Sequence, residues 1–434
     1  MLADVGTKPS LPEGCEDGVA KDGEYCFELV EVPAGDRAGL QIEGAAALDL
    51  DGDGAEELIY AFSDGNDAPC AGEESQWCSQ IYRWSGTEFT EIGEVTGGAQ
   101  VADPNGSPYY TVLDFDGDGR RDLVVTHLAG LGYWEHRADG TLAGGGGWKL
   151  GDYIKGGAFP YRGSDEGFAN VLVALDEGMQ VHRWDGATWN PEGALLPLPN
   201  CLMYPGARGD LDEDGMEDVV VLGDYNGCEF NFPNSYAEDP EYFAMPVLLT
   251  DRATGLLEPA GGVLPGEIPR LMWLGDLDGD GHLDVLFGVY GSGFSWARGL
   301  GDGSFEPAEL VLELPGETAP ELPAGYEQGW SPQGLADFDG DGVMEVLVRG
   351  SVQPPGGNAG QATMRFIVVD VAEASSLEVY EQPFASAEAW SGKQQFRGFG
   401  DFNGDGVTDF AVWISDRVEG APSVTRPAVW ISRP

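Results

Sequence analysis

With 434 residues, 42% of them hydrophobic, the chain can bury a sizeable core, which excludes wholesale disorder. Its 75 acidic against 22 basic residues give a formal net charge of −53, which excludes nucleic acid and anionic membrane surfaces as partners and points to cations. No run approaches the roughly 18 apolar residues of a membrane helix, and 67 glycines and 28 prolines spread between short β-branched runs read as a turn-rich, all-β protein.

Residues 1–24 have no hydrophobic signal core and are expected to form an N-terminal extension to a mature chain whose leader has been removed. The six cysteines fall into three close pairs: Cys15 with Cys26, Cys70 with Cys78, and Cys201 with Cys228. None has C-x-x-C spacing, so three disulfides and a secreted or cell-surface location are expected.

From residue 49 an acidic loop recurs. It reads "DLDGDGAEE" from Asp49, "DFDGDGRRD" from Asp114, "DLDEDGMED" from Asp210, "DLDGDGHLD" from Asp276, "DFDGDGVME" from Asp337 and "DFNGDGVTD" from Asp401. Carboxylates this close repel one another unless a cation lies among them, and calcium wants six to eight oxygens at about 2.3–2.6 Å. Positions 1, 3, 5 and 9 supply side-chain oxygens, glycine at 6 permits the turn, and position 7 lends a backbone carbonyl.

The expected ligands in the first loop are therefore Asp49, Asp51, Asp53, Ala55 and Glu57, and in the second Asp114, Asp116, Asp118, Arg120 and Asp122. The next two use Asp210, Asp212, Asp214, Met216 and Asp218, then Asp276, Asp278, Asp280, His282 and Asp284. The last two use Asp337, Asp339, Asp341, Val343 and Glu345, then Asp401, Asn403, Asp405, Val407 and Asp409. About six calcium ions are expected.

An EF-hand is excluded, because position 12 holds Tyr60, Val125, Val221, Phe287, Val348 and Val412 in place of glutamate. Each loop instead feeds a β-branched run that reads as a strand buried on both faces. An "LDV" tripeptide at 283–285 contains the ligand Asp284, so it is assigned to the metal loop.

The spacing of 96 residues between Asp114 and Asp210 is too long for one unit, and "RGSDEGFANVLVAL" fills its middle. There Arg162, Ser164, Glu166, Gly167 and Asn170 take positions 1, 3, 5, 6 and 9, and Arg162 puts a positive charge where a ligand is needed. This seventh unit is read as having lost its ion. "IYRWSGTEF" (81–89) and "VHRWDGATW" (181–189) follow two of the loops and fix the register.

Each unit reads as strand, acidic loop, strand, strand, turn, strand. Seven such units, near 49, 114, 162, 210, 276, 337 and 401, give a seven-bladed β-propeller with four-stranded antiparallel blades over residues 25–434. The last unit has only three strands, so the N-terminal "YCFELVEVP" (25–33) is expected to supply the fourth and close the ring.

The six D-x-[DN]-x-DG-x-x-[DE] loops resemble the FG-GAP and VCBS repeats, calcium-binding propeller repeats also found in the head of integrin α subunits. The resemblance covers about residues 25–434 and implies a calcium-stabilised binding or adhesion protein. "CEDGVAKDGEYC" (15–26) resembles a short cysteine motif of secreted myxobacterial proteins.

Propeller topology puts the acidic loops and the third-to-fourth turns on one face, and the long segments 63–79, 223–245, 315–334 and 351–362 on the other. Tyr225, Phe230, Phe232 and Tyr236, with Trp77 and Trp330, are the candidate ligand-binding rings of that second face. The expected partner is a glycan or an extracellular protein. No G-x-S-x-G or H-E-x-x-H motif occurs, and the four histidines form no cluster. Binding is therefore favoured over catalysis; the alternatives are a polysaccharide lyase or hydrolase, and a self-assembling subunit of a surface layer or filament.

Overall fold

The computed structural model describes residues 27–35, 41–63, 77–95, 109–127, 130–149, 158–163, 167–175, 178–196, 203–223, 245–263, 269–289, 293–310, 327–353, 363–371, 375–381, 390–417 and 424–432. Over these residues the strands gather into seven antiparallel sheets of four, arranged as a seven-bladed propeller. Blades 1 to 6 span 41–95, 109–149, 158–196, 203–263, 269–310 and 327–381, each with its strands side by side in chain order. Blade 7 takes Trp390–Gly400, Asp409–Arg417 and Val424–Ser432, with Phe27–Glu31 as its fourth strand.

The expected ring closure by the N-terminal strand needs correction. No sheet is closed: each of the seven is open, and Phe27–Glu31 is an edge strand hydrogen-bonded only to Val424–Ser432, from Phe27 opposite Ser432 to Glu31 opposite Ala428. Strand addition completes a blade but cannot join it to its neighbour, because the ladder runs outward within one sheet.

Side-chain packing joins the blades. The β-branched run after each loop is the second strand of its blade and is buried on both faces, as in Leu58, Ile59, Tyr60, Ala61 and Phe62. Each of the seven apolar clusters mixes residues of two adjacent blades. At the junction of blades 7 and 1, Leu58, Tyr60 and Phe62 pack with Phe402, Ala411, Val429 and Ile431. Buried Tyr60 also donates across this junction to the carbonyls of Val412 (2.9 Å) and Ala428 (2.8 Å).

Backbone bonds between successive loops add a second tie. The amide at loop position 8 donates to the start of the preceding blade's loop: Glu56 to Asp401, Glu217 to Arg162, Met344 to Asp276 and Thr408 to Asp337, at 2.7–3.1 Å. In blade 3, Ala169 donates to Phe115 at 2.7 Å.

The third-to-fourth turns lie on the same face, since Gly303 donates to Leu211 at 3.0 Å and Arg183 reaches the Thr254 carbonyl at 2.6 Å. Most of the long segments assigned to the opposite face lie outside the described residues.

The expected disulfides are not found: among the described residues no pair of cysteines comes within disulfide range. Cys15, Cys26, Cys70, Cys201 and Cys228 lie outside the described residues, and Cys78 is placed by its backbone alone, opposite Phe62.

Candidate metal centres

Each acidic loop is a tight turn between the first and second strands, built by its own side chains. Both carboxylate oxygens of the first aspartate accept amides from further along the turn. Asp49 takes Gly52 and Gly54 at 2.7 and 3.2 Å, and Asp276 takes Gly279 and Gly281 at 2.8 and 2.9 Å. The aspartate at position 5 accepts the amide of position 7, so Ala55, Arg120, Met216, His282, Val343 and Val407 are all held by 2.8–2.9 Å bonds. These bonds fix the peptides whose carbonyls position 7 would lend to an ion.

The acid at position 9 opens the second strand and is buried. Asp122, Asp218, Asp284 and Asp409 are fully buried, and Glu57 and Glu345 nearly so. Each accepts the amide at position 2, as Leu277 to Asp284 at 2.9 Å, and several also accept an amide from the third strand, as His136 to Asp122 at 2.7 Å.

Burial outweighs these bonds and favours the neutral form. It pushes Asp122, Asp218 and Asp284 up to about 6, Asp409 up to about 7 and Glu345 up to about 8, and it raises Glu57. Neighbouring loop aspartates push Asp122, Asp218, Asp284, Asp409 and Glu345 further the same way.

Five loops bring three carboxylate oxygens within 4.8 Å of one another. In four of them the acids are positions 1, 3 and 9: Asp114, Asp116 and Asp122; Asp210, Asp212 and Asp218; Asp276, Asp278 and Asp284; Asp337, Asp339 and Glu345. In the first loop they are Asp49, Asp51 and Asp53, because Glu57 is turned to Arg83 at 2.6 Å. Oxygens bound at about 2.3–2.6 Å to one calcium are at most about 5 Å apart, so the hard-oxygen donor sets fit that ion.

The fifth-position acids Asp118, Asp214, Asp280 and Asp341 stand outside these clusters. Asp118 is paired with Arg120, and Asp280 with Arg298 at 3.2 Å.

The last loop differs. Asn403 donates through its amide nitrogen to Asp405 at 2.7 Å and to the Ser432 carbonyl at 3.1 Å, and no three-carboxylate cluster forms around Asp401.

In blade 3, Ser164 and Glu166 lie outside the described residues, but the cation expected at Arg162 is well placed. Its guanidinium donates to the Asp114 carbonyl at 3.0 Å and the Gly167 carbonyl at 2.9 Å, with the Asp114 carboxylate 3.6 Å away. Asn170 is held by Arg183 at 3.1 Å and by the Gly255 carbonyl at 2.6 Å. A side-chain cation thus stands in the turn where the other blades carry acids.

Of the candidate ligand-face rings, Tyr225, Phe230, Phe232 and Tyr236 lie outside the described residues, and Trp77 and Trp330 are placed by backbone only. Two histidines serve blade junctions: His136 bonds the Leu50 carbonyl at 2.9 Å, and His282 pairs with Glu213. No described helix is long and apolar enough to cross a membrane.

Sequence reading missed one concentration of rings. Phe115, Tyr133, Trp148, Phe168, Trp184 and Trp189 pack together where blades 2 and 3 meet, with Tyr133 stacked on Trp148 at 5.7 Å. The two R-W-x-G phrases held part of this signal, since Trp184 belongs to one of them.

The FG-GAP-like repeat family model matches residues 49–125 and 276–348, the stretches that hold the loops of blades 1, 2, 5 and 6. No curated protein matches the sequence.

Among solved structures, the chain is similar to an Agrocybe aegerita lectin described by its recognition of non-reducing terminal N-acetylglucosamine. The identity is 16% and the TM-score 0.48, over 93% of this chain and 94% of that one. It is similar to a Dyadobacter fermentans protein of unknown function at 12% identity and TM-score 0.41, over 93% and 98%. A rhamnogalacturonan lyase of Bacillus licheniformis follows at 14% and 0.40, over 97% and 74%. Similarity this low assigns no ligand or reaction.

Proposed function

We propose that the chain is a calcium-stabilised binding or adhesion protein of the extracellular or cell-surface kind, whose rigid propeller presents a loop-rich face to a glycan or protein. The observation that carries this reading is the placement of the acid clusters. Two of them lie in turns whose first residue, Asp276 or Asp337, accepts an interblade amide, and a third in the turn whose second residue, Phe115, does so. A cation there would neutralise the buried acids and stiffen the junction with the next blade, which makes about six ions structural elements of the ring.

The acids at positions 1, 3 and 9, or 1, 3 and 5 in the first loop, would hold the ion, with the position 7 carbonyl and, at the last loop, Asn403 and Asp405 completing the set. Acids committed in this way to backbone amides and metal are poorly suited to proton transfer on a substrate, which supports binding over catalysis.

A glycan array probed with the full chain, with calcium and with chelator, tests the reading. Retention of intact glycans or of an extracellular protein only in calcium is the expected outcome. Release of shortened or unsaturated sugars would replace it with a polysaccharide lyase or hydrolase, and calcium-dependent polymers in size-exclusion chromatography with a surface-layer subunit.

A further inference from the structure

The register between second and third strands fixes which residue faces the buried acid at position 9, and its charge changes from blade to blade. Leu58 pairs with Tyr82 and Val285 with Ala297, which sets Arg83 opposite Glu57 in blade 1 and Arg298 opposite Asp284 in blade 5. The same step puts Glu135 opposite Asp122 in blade 2 and Asp370 opposite Glu345 in blade 6. Blades 4 and 7 have Leu249 and Ile431 there.

Both arginines reach into the acid cage beside them. The Arg83 guanidinium is 2.8 Å from Asp51 and 2.6 Å from Glu57, and this contact draws Glu57 out of the cluster found in the other blades. Arg298 lies 2.5 Å from Asp278 and 3.2 Å from Asp280. About two-fifths of each arginine side chain is exposed, so each can withdraw into water when an ion arrives. In blade 3 the same register position is Arg183, and it faces Asn170 in place of an acid.

We propose that Arg83 and Arg298 are tethered counter-cations that compete with the divalent ion, so the cages fill in graded order: blade 6 first, blades 1 and 5 last. This rests on reading the loops as calcium sites. An ion entering cage 1 or 5 must displace a guanidinium or sit beside one, whereas Asp370 adds attraction at cage 6; at cage 2 Glu135 is offset by Arg120, paired with Asp118, and by Arg162 beside Asp114. When calcium is scarce, the first blade, which meets the last at the seam of the ring, keeps its acids neutralised by its own arginine.

Calcium titration calorimetry of the full chain, with ions counted per chain, tests the order. The wild type should show a weak class of two sites, and Arg83→Gln and Arg298→Gln should each move one of them to tighter binding by roughly tenfold or more, as expected for removing a unit charge beside a divalent ion. Arg298→Lys, which keeps the charge, should stay weak. Arg426→Gln, whose carboxylate partner is Glu31, should leave the isotherm unchanged. Equivalent sites that neither substitution at Arg83 or Arg298 alters would overturn graded filling alone; an isotherm with no bound ion would overturn the calcium reading itself.

Discussion

The turns of blades 2 and 3 follow the same path with opposite chemistry. Gly119 and Gly167 occupy the same loop position, both in the left-handed region at φ +89° and +75°, and both loops tie to a neighbour through backbone amides. In blade 2 three carboxylates converge, while in blade 3 the Arg162 guanidinium occupies the turn and bonds two carbonyls. On the calcium reading the two turns meet one need, positive charge among carbonyl and carboxylate oxygens, blade 2 with a bound ion and blade 3 with a covalently held cation. The two solutions differ in one respect: only the first can be lost by dialysis.

Removing calcium should therefore have the largest effect and spare blade 3. With free calcium tenfold above the dissociation constant each site adds about 1.4 kcal/mol, so six sites sum to roughly 8 kcal/mol, or about 9 °C in Tm for a chain of this length. Differential scanning fluorimetry with chelator and with calcium measures this, and an unchanged Tm would remove the ions from the account.

The pH dependence should invert between the two conditions. Without ions, Asp122, Asp218, Asp284, Asp409 and Glu345 hold protons in the folded state that the unfolded chain releases, because burial raises their pKa values. Stability then falls as pH rises from about 4 toward 7 or 8. With calcium bound the charged forms are favoured, and stability should fall on acidification instead. Melting curves between pH 5 and 8 separate the cases, and Glu345→Gln should flatten the upper end of the chelated profile.

Arg162→Met sharpens the contrast at blade 3. It leaves the Asp114 and Gly167 carbonyls without their donor and should cost about 2 kcal/mol, near 2 °C. Calcium should not restore the loss, since Ser164 and Asn170 stand where the other turns have acids at positions 3 and 9. Recovery on adding calcium would show that an ion, and not the guanidinium, belongs there.

How far the sequence could be read follows from the range of each interaction. The loops were legible because their ligands and glycines lie within nine residues, and the register of seven units followed from their spacing, including the degenerate copy at Arg162. Interblade contacts were not legible. Tyr60 reaching Val412 and Ala428, or Glu56 reaching Asp401, joins residues more than 300 positions apart, and no local pattern marks them. Ring closure failed as an expectation because it was attributed to strand pairing, while the seam at blades 7 and 1 is made by packing and these few bonds. Arg83 was visible in "RWSG" only as a marker of register. Its place over the cage depends on the strand pairing of Leu58 with Tyr82.

The smallest effect concerns position 4 of the loop, where blades 4 and 6 offer a matched pair. Glu213 is the one non-glycine residue in the left-handed region among the described residues, at φ +58°, where blade 6 has Gly340 at φ +80°. A side chain with a Cβ pays a steric cost there that glycine does not. Glu213 has one compensation, its pairing with His282, but Glu213 is more than half exposed and such pairs contribute little. Glu213→Gly should thus raise the Tm by less than about 1 °C, the relief of backbone strain offsetting both the lost pair and the larger entropy of the unfolded chain. Gly340→Ala should lower it by a comparable amount, because no partner waits beside that turn to hold the strained conformation. A clear loss of stability in Glu213→Gly would instead mean that the link to His282, which bridges blades 4 and 5 on the loop face, outweighs the strain, and that side-chain pairing there substitutes for the position 8 amide found at other junctions.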